Sequence, residues 1–274
     1  MRSRIAFLSS VLFLSLCVLL LMSGCGSSGK VLPPPAFSLS GNWVFSLQEN
    51  NGNANPKTQS GFLLANQDSV TGGVLLVAPP CTGDGAVSGT VTGNNVSLSV
   101  SATGLSISLI GTLGSDNSSM SGTYNLLVSG CSLKPESGSW MAILLPTLTG
   151  TFQQATSNLT SNHTGSVYQI SGPITQARDT GAASVALNGN LTSDSPCFTA
   201  ATVSGLIGGP NVVLNLVDST GAQIGQVVGI WPNIDNTAMP PITTPSVVGK
   251  YSLLAQGKGS PCPGGDSGTV VLSF

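Results

Sequence analysis

Charged side chains are scarce in this chain of 274 residues. Lys, Arg, Asp and Glu make up 7% of it, where an ordinary soluble domain carries roughly a quarter. Ten acidic residues outnumber eight basic ones, and the formal net charge is -2 at pH 7. Because no basic surface is available to hold phosphates, nucleic-acid binding is excluded. A single histidine leaves little material for acid–base catalysis or a metal cage, so we expect no metal and no cofactor.

Long segments with helical periodicity are also missing. Short runs in which apolar and small polar residues alternate take their place, separated by Gly, Asn-Gly and Gly-Asn turns. Residues 96–100 and 105–109 are clear examples, with Ser facing water and aliphatic side chains facing a core. The hydrophobic fraction of 41% is enough to form that core, which argues against disorder. The sequence therefore predicts an all-β protein.

The first 24 residues have the layout of a secretory signal, with Arg2 and Arg4 preceding an apolar stretch over 5–22. Its end, Leu21-Met22-Ser23-Gly24-Cys25, resembles the lipobox of bacterial lipoproteins. It departs from that motif at Met22, where Leu is usual. The resemblance implies cleavage before Cys25, transfer of a diacylglyceryl group to its thiol, and acylation of the new amine. An uncleaved membrane helix is the alternative.

Cleavage would remove both N-terminal arginines and leave six basic and ten acidic residues, a net charge of about -4. Several acyl chains, each contributing about 0.8 kcal/mol per buried CH₂, would hold the mature protein at a membrane. Residues 25–37 combine Gly and Ser with Pro33-Pro34-Pro35, so we expect a tether between the anchor and the folded part. Gly26 is not the Asp that retains enteric lipoproteins at the inner membrane. We therefore expect a cell-envelope protein anchored in the outer membrane.

The chain beyond the tether contains two copies of one unit, which predicts a first domain over 38–145 and a second over 146–274. Each copy has a cysteine followed seven residues later by Ser-Gly and then by an alternating strand. A Gly-x-Tyr segment, a second cysteine and a Ser-Gly segment follow in both. Such a long repeat suits two small domains better than a solenoid. The matched segments are Cys81 with Cys197, Ser88-Gly89 with Ser204-Gly205, Gly122-Thr123-Tyr124 with Gly249-Lys250-Tyr251, Cys131 with Cys262, and Ser137-Gly138-Ser139-Trp140 with Ser267-Gly268-Thr269-Val270.

About eight strand-like runs are present per unit, and eight antiparallel strands close most simply into an up-and-down barrel. Gly41-Asn42-Trp43, at the start of the first run, resembles lipocalin and avidin barrels, in which the Trp plugs one end. A two-sheet β-sandwich is the alternative. The second unit carries a Pro-rich insertion over 231–245, for which we expect a long loop. In the first unit the runs lie near 41–48, 60–66, 70–78, 86–92, 95–102, 104–112, 118–128 and 137–145.

Four cysteines remain once Cys17 in the signal and Cys25 in the lipobox are set aside. They stand at equivalent places in the two units, which favours one of three possible pairings. We therefore predict the disulfides Cys81–Cys131 and Cys197–Cys262, each contributing about 2–4 kcal/mol in an oxidising compartment. A zinc site is the alternative, but the close cysteine spacing that it needs is absent.

Residues 262–269 resemble the nucleophile segment of chymotrypsin-like serine proteases, in which Ser follows Gly-Asp. The resemblance would make Ser267 the nucleophile, and His163 is the only base available. However, the first unit has Glu136-Ser137-Gly138 at the same place and contains no histidine. We therefore expect a hairpin turn and no catalytic residues.

The sequence predicts a lipid-anchored envelope protein that binds a small or apolar ligand in one or both barrel mouths. A structural or adhesive protein with packed barrels that meets envelope polysaccharide or protein is the alternative. A serine hydrolase and a sixteen-stranded outer-membrane barrel are remote ones. The aromatic candidates for ligand contact are Trp43, Tyr124, Trp140, Trp231 and Tyr251.

Overall fold

The computed structural model describes residues 39–50, 57–78, 81–128, 130, 134–235, 242–256 and 262–274. All of its regular structure in these ranges is β-strand, as the alternating pattern predicts. The signal, the lipobox with Cys25 and the tether up to residue 37 lie outside the described residues. No helix in the described part of the chain has the length and apolar character needed to cross a membrane.

The first eight strands form a closed antiparallel barrel in which each strand pairs with the next and β8 returns to β1. Seven of the eight predicted runs agree with the observed strands to within three residues at each end. The exception is the fourth, where the structure adds five residues at the start. The strands are β1 (Gly41–Glu49), β2 (Lys57–Asn66), β3 (Ser69–Ala78), β4 (Cys81–Thr92), β5 (Asn95–Ala102), β6 (Leu105–Leu113), β7 (Ser119–Val128) and β8 (Glu136–Leu145).

The second half of the chain closes in the same order, although its first strand is broken into β9 and β10, which both pair with β11. The ring then runs through β12, β13, β14, β15, β18 and β19 back to β10. The strands are β9 (Gly150–Phe152), β10 (Asn158–Ser161), β11 (Val167–Gln176), β12 (Val185–Ser193), β13 (Ala200–Gly208), β14 (Asn211–Val217), β15 (Gln223–Ile230), β16 (Asn233–Asp235), β17 (Ile242–Thr244), β18 (Ser246–Leu253) and β19 (Asp266–Ser273).

The chain therefore forms two tandem eight-stranded barrels, as predicted. The β-sandwich and the single sixteen-stranded pore, the two alternatives, are wrong. The Pro-rich insertion, for which the sequence predicts a long loop, contains a short antiparallel ribbon of β16 paired with β17. Residues 236–241 between them lie outside the described residues.

Along most strands, side chains alternate between the barrel interior and the outside. On β5, Val96, Leu98 and Val100 are buried, and Asn95 and Ser97 beside them are exposed. Inward residues such as Trp43 and Leu109 have 0% of their surface accessible. A water-sized cavity beside them would leave part of that surface accessible, so the interiors are filled with side chains around these positions.

The two barrels are joined by specific buried hydrogen bonds. Asn42 donates its side-chain amide to the carbonyl of Gly209 at 2.8 Å and accepts the amide of Gly209 at 3.0 Å. Trp231 of the insertion donates its indole N–H to the carbonyl of Pro146, the first residue after β8, at 2.9 Å in a partly buried hydrogen bond. Phe62 of the first barrel packs within the core cluster of the second. The junction is therefore a packed interface and not a free linker.

Candidate functional site

A buried tyrosine bonded to a carboxylate occurs at the same place in both barrels. Tyr124 on β7 donates to Oε1 of Glu136 at 2.8 Å, and Tyr251 on β18 donates to Oδ2 of Asp266 at 2.6 Å. Both acids begin the last strand of their barrel, so the pairs lie at one barrel end. Burial, followed by the hydrogen bond to the carboxylate, raises the pKa of each tyrosine above its ordinary value.

We call the first set, Lys57, Tyr124 and Glu136, the first mouth. Here Lys57, the first residue of β2, places its Nζ at 2.5 Å from Oε1 and 2.6 Å from Oε2 of Glu136. The two side chains are 16% and 9% exposed, so water screens this ion pair only weakly. The carboxylate of the first mouth is therefore neutralised by the chain itself.

The second mouth consists of Ser161, Tyr168, Tyr251 and Asp266. In place of a lysine, Oδ1 of Asp266 accepts hydrogen bonds from the Ser161 hydroxyl at 2.7 Å and from the amide of Ser267 at 2.9 Å. In the described part of the chain, Asp266 has no basic partner within ion-pair distance. Three neutral donors thus hold the carboxylate of the second mouth.

An open cavity of about 560 Å³ lies over the second mouth. Hydroxyl groups, peptide groups and the Asp266 carboxylate form much of its wall, and Leu253 and the disulfide add apolar surface. This volume is within the range of small-molecule sites. The lining residues are Ser161, His163, Thr164, Tyr168, Pro196, Cys197, Ser252, Leu253, Cys262, Pro263, Gly264, Gly265, Asp266 and Ser267.

A disulfide fixes one wall of this cavity. Cys197 and Cys262 are bonded with their Cα atoms 5.0 Å apart, which confirms that predicted pairing. Gln256 also donates its side-chain amide to the carbonyl of Cys197. The bond therefore ties the segment before β13 to the one before β19. The predicted partner of Cys81, Cys131, lies outside the described residues, so that pairing stays a prediction.

The protease-like segment does not form a catalytic triad. His163, Asp266 and Ser267 all line the cavity, but no hydrogen bond joins the His163 ring to Ser267 or Asp266 among the described residues. The His163 side chain is exposed, and Asp266 bonds to Tyr251 and Ser161. Ser267 accepts the amide of Asn162 through its carbonyl at 2.9 Å, as expected for a residue of the barrel wall. The segment enters β19 after a turn, as the hairpin interpretation predicts.

The five aromatic residues proposed for ligand contact are all buried in the cores. Trp43 donates its indole N–H to the carbonyl of Leu39 at 2.8 Å and packs in the core of the first barrel, and its role as an end plug stays a prediction. Only Tyr251 is joined to the cavity wall, through Asp266. Ligand contact by these residues stays a prediction, and the structure gives each a packing role. Their exposed fractions are Trp43 0%, Tyr124 1%, Trp140 2%, Trp231 2% and Tyr251 3%.

Sequence reasoning missed Lys57, Ser161 and Tyr168. Lys57 is the first residue of β2, and Tyr168 is the second residue of β11. Ser161 is the last residue of β10, and because β9 and β10 are two pieces of one broken strand, this part of the second unit is hard to align with the first. An alignment of the two units that included their first two strands would have shown that Tyr168 takes the position of Lys57 in the second unit.

A second cavity of about 490 Å³ lies at the junction of the barrels. Phe62, Leu144 and Leu145 make much of its wall apolar. Asp179 lies at its edge, where burial raises the pKa of the carboxyl and hydrogen bonds from the amides of Gly181 and Gly41 oppose that shift. This cavity is the more apolar of the two.

Comparison with known proteins gives no family. No family model matches the chain, and no curated protein matches it. Among solved structures, kievitone hydratase from Nectria haematococca is 10% identical with a TM-score of 0.23, covering 86% of this chain and 90% of its own. An AttH-type protein from Nitrosomonas europaea is 11% identical with a TM-score of 0.25, covering 90% and 98%. Scores this low carry no argument about function.

Proposed function

We propose that this protein is a lipid-anchored component of the bacterial cell envelope whose second barrel binds a small ligand at its mouth. The observation that carries the proposal is the 560 Å³ cavity over Asp266. The barrel interiors are packed, so a ligand is held at the mouth and not deep inside as in a carrier with a hollow core. The protein acts by binding and has no catalytic machinery.

The wall chemistry favours a small, at least partly polar ligand. Several hydroxyl-bearing side chains line the cavity, and Tyr251 and Ser161 orient the carboxylate at its base. A few convergent polar groups beside apolar surface are typical of sites that fix a ligand's orientation. A purely apolar ligand fits the junction cavity better.

A native mass spectrum of the lipidated protein, purified from its own host without unfolding, tests ligand binding. We expect a reproducible excess mass that disappears on denaturation. Gly264→Trp should abolish it, because Gly264 lines the cavity and a Cβ atom there would meet nothing within 4 Å, which leaves room for an indole to occupy the ligand's space. Gly83→Trp is the matched control, since Gly83 also has open space beside it. An excess mass that survives Gly264→Trp would place the ligand elsewhere, and no excess mass would contradict binding.

The lipid anchor is tested separately by mass analysis of the mature N-terminus. We expect a peptide that begins at a triply acylated Cys25 and a protein that fractionates with the outer membrane. Cys25→Ala should leave an unmodified precursor. An N-terminus that retains Arg2 and Arg4 in the wild-type protein would contradict the proposal.

A structural or adhesive role is the second candidate, and the packed interiors favour it. In that case the exposed strand faces would meet polysaccharide or protein, and the cavity over Asp266 would hold only water.

A further inference from the structure

The repeat provides an internal comparison of the two mouths. On β1, Leu47 lies opposite Lys57, and on β10 Leu159 lies opposite Tyr168. Leu47 also lies opposite Trp140, and Leu159 opposite Val270, which are matched residues of the repeat. Lys57 and Tyr168 therefore occupy the same position in their barrels.

The first mouth shows which partner binds beside a Tyr–carboxylate pair in this fold. The Lys57 ammonium lies against both oxygens of Glu136 while Tyr124 donates to one of them. A partly buried carboxylate favours such a partner because its charge is poorly solvated. The first mouth is thus an alkylammonium site that is filled by the chain.

The second mouth keeps the pair and replaces the lysine. Oδ1 of Asp266 accepts two hydrogen bonds, whereas Oδ2 accepts one, from Tyr251. An ionised carboxylate has about four acceptor sites, so Oδ2 has capacity for another donor. Asp266 and Tyr168 both line the open cavity, so a ligand there has access to this carboxylate.

We propose that the second mouth binds the ammonium group of an organic cation, held on Oδ2 of Asp266 in the place that Lys57 takes in the first mouth. This inference rests on the proposed binding function and names its ligand class. A tyrosine beside a carboxylate suits an ammonium group, which aromatic rings attract. The negative net charge of the mature chain also favours the approach of a cation.

A metal ion fits this mouth less well. Among the described residues no group of three or more His, Cys, Asp or Glu side chains could hold a metal. The cavity of about 560 Å³ exceeds what a coordinated ion needs, so it has room for the organic remainder of a ligand.

Calorimetric titration of the mature lipidated protein in a nonionic detergent tests the proposal. The probes are 1,4-diaminobutane, its neutral counterpart 1,4-butanediol and the anionic succinate. Nα-acetyl-lysine amide is added to distinguish a free amine from a lysine side chain. We expect at least one of the two ammonium probes to bind about tenfold or more tightly than the diol and succinate.

Asp266→Asn should abolish that binding, whereas Glu136→Gln, the same change in the first mouth, should leave it intact. Tyr168→Lys gives a second variant that should also abolish binding, because it transplants the first mouth's lysine beside Asp266. Tyr168→Lys is expected to raise the melting temperature, because the new lysine pairs with the Asp266 carboxylate. Asp266→Asn removes that charge and is not expected to do so.

The outcomes separate the inference from the proposed function. Equal binding of the diol, or binding that survives Asp266→Asn, overturns the cationic ligand and leaves a binding protein. No binding of any probe also overturns it. In that case an excess mass in the native spectrum preserves the proposed function, and its absence contradicts both.

Lys258 lies outside the described residues. Binding that appears only after Lys258→Gln would show that the chain supplies its own cation and would likewise overturn the inference.

Discussion

Tyr251 donates its hydroxyl to Asp266 at 2.6 Å, across the last two strands of the second barrel, β18 and β19. Tyr124 and Glu136 repeat this relationship in the first barrel at 2.8 Å. In both cases the tyrosine ring packs over a glycine of the last strand, Gly268 or Gly138, where a Cβ atom would meet the ring at 3.0 or 2.7 Å. The duplicated pair is thus a fixed part of the fold, and the residues around it differ.

The raised pKa of Tyr124 and Tyr251 predicts a loss of stability at alkaline pH. Below the ordinary tyrosine pKa of about 10 both folded and unfolded chains keep their phenol protons. Above it the unfolded chain releases protons that the folded chain retains, so the free energy of unfolding falls as pH rises. Each tyrosine contributes at most about 1.4 kcal/mol per pH unit. Urea unfolding from pH 8 to 12 measures this slope.

The double variant Tyr124→Phe/Tyr251→Phe is the control for that slope. It should be less stable at pH 8, by about 1 kcal/mol per lost hydrogen bond. Its stability should depend less on pH above 10 than that of the wild-type protein. Equal slopes would mean that the two phenols ionise as freely in the fold as in the unfolded chain.

Removing Lys57 should destabilise the first barrel. Lys57→Met leaves Glu136, which is 9% exposed, without its counter-ion, and an uncompensated charge of this kind costs about 3 kcal/mol. Chemical denaturation at pH 7 measures the change. Lys250→Met is the matched control, because Lys250 is exposed on the outer face of β18 and should cost less than about 0.5 kcal/mol. Equal effects would mean that the Lys57–Glu136 pair adds nothing.

Breaking the Cys197–Cys262 disulfide should lower the free energy of unfolding by about 2–4 kcal/mol, because the bond closes a loop of 65 residues. The variant Cys197→Ser/Cys262→Ser should also bind the ligand more weakly, since both cysteines line the cavity. Thermal unfolding and native mass spectrometry measure the two effects. An unchanged free energy of unfolding would mean that the disulfide does not restrict the conformational entropy of the unfolded chain.

Gly172 lies in β11 opposite Phe152 of β9, in a backbone conformation that favours glycine. Its φ of 145° is rare for other residues, and a Cβ there would lie 2.0 Å from the carbonyl oxygen of Asn190. Gly172→Ala should therefore cost more than about 2 kcal/mol. Gly83→Ala, with nothing within 4 Å, should change stability by less than about 1 kcal/mol. Equal costs would contradict the observed backbone geometry. Urea unfolding of both variants provides the comparison.

The sequence was sufficient for the fold because alternation along a strand reports directly which face is buried. Residues 95–102 were predicted to the residue, and the equivalence of Tyr124 with Tyr251 followed from the repeat. The candidate site was harder to predict. Lys57 and Glu136 are 79 positions apart, and nothing local in the sequence indicates that the barrel end brings them together. The sequence suggested the aromatic residues as ligand contacts, but their large apolar side chains are buried in the barrel cores.

A crystal structure of the protein, isolated from its host without unfolding, would show whether the second mouth holds an organic cation. We predict density for a small organic molecule in the cavity over the second mouth, with a nitrogen within about 3 Å of Oδ2 of Asp266. Ordered water alone throughout that cavity, or a ligand seated in the junction cavity instead, would contradict it.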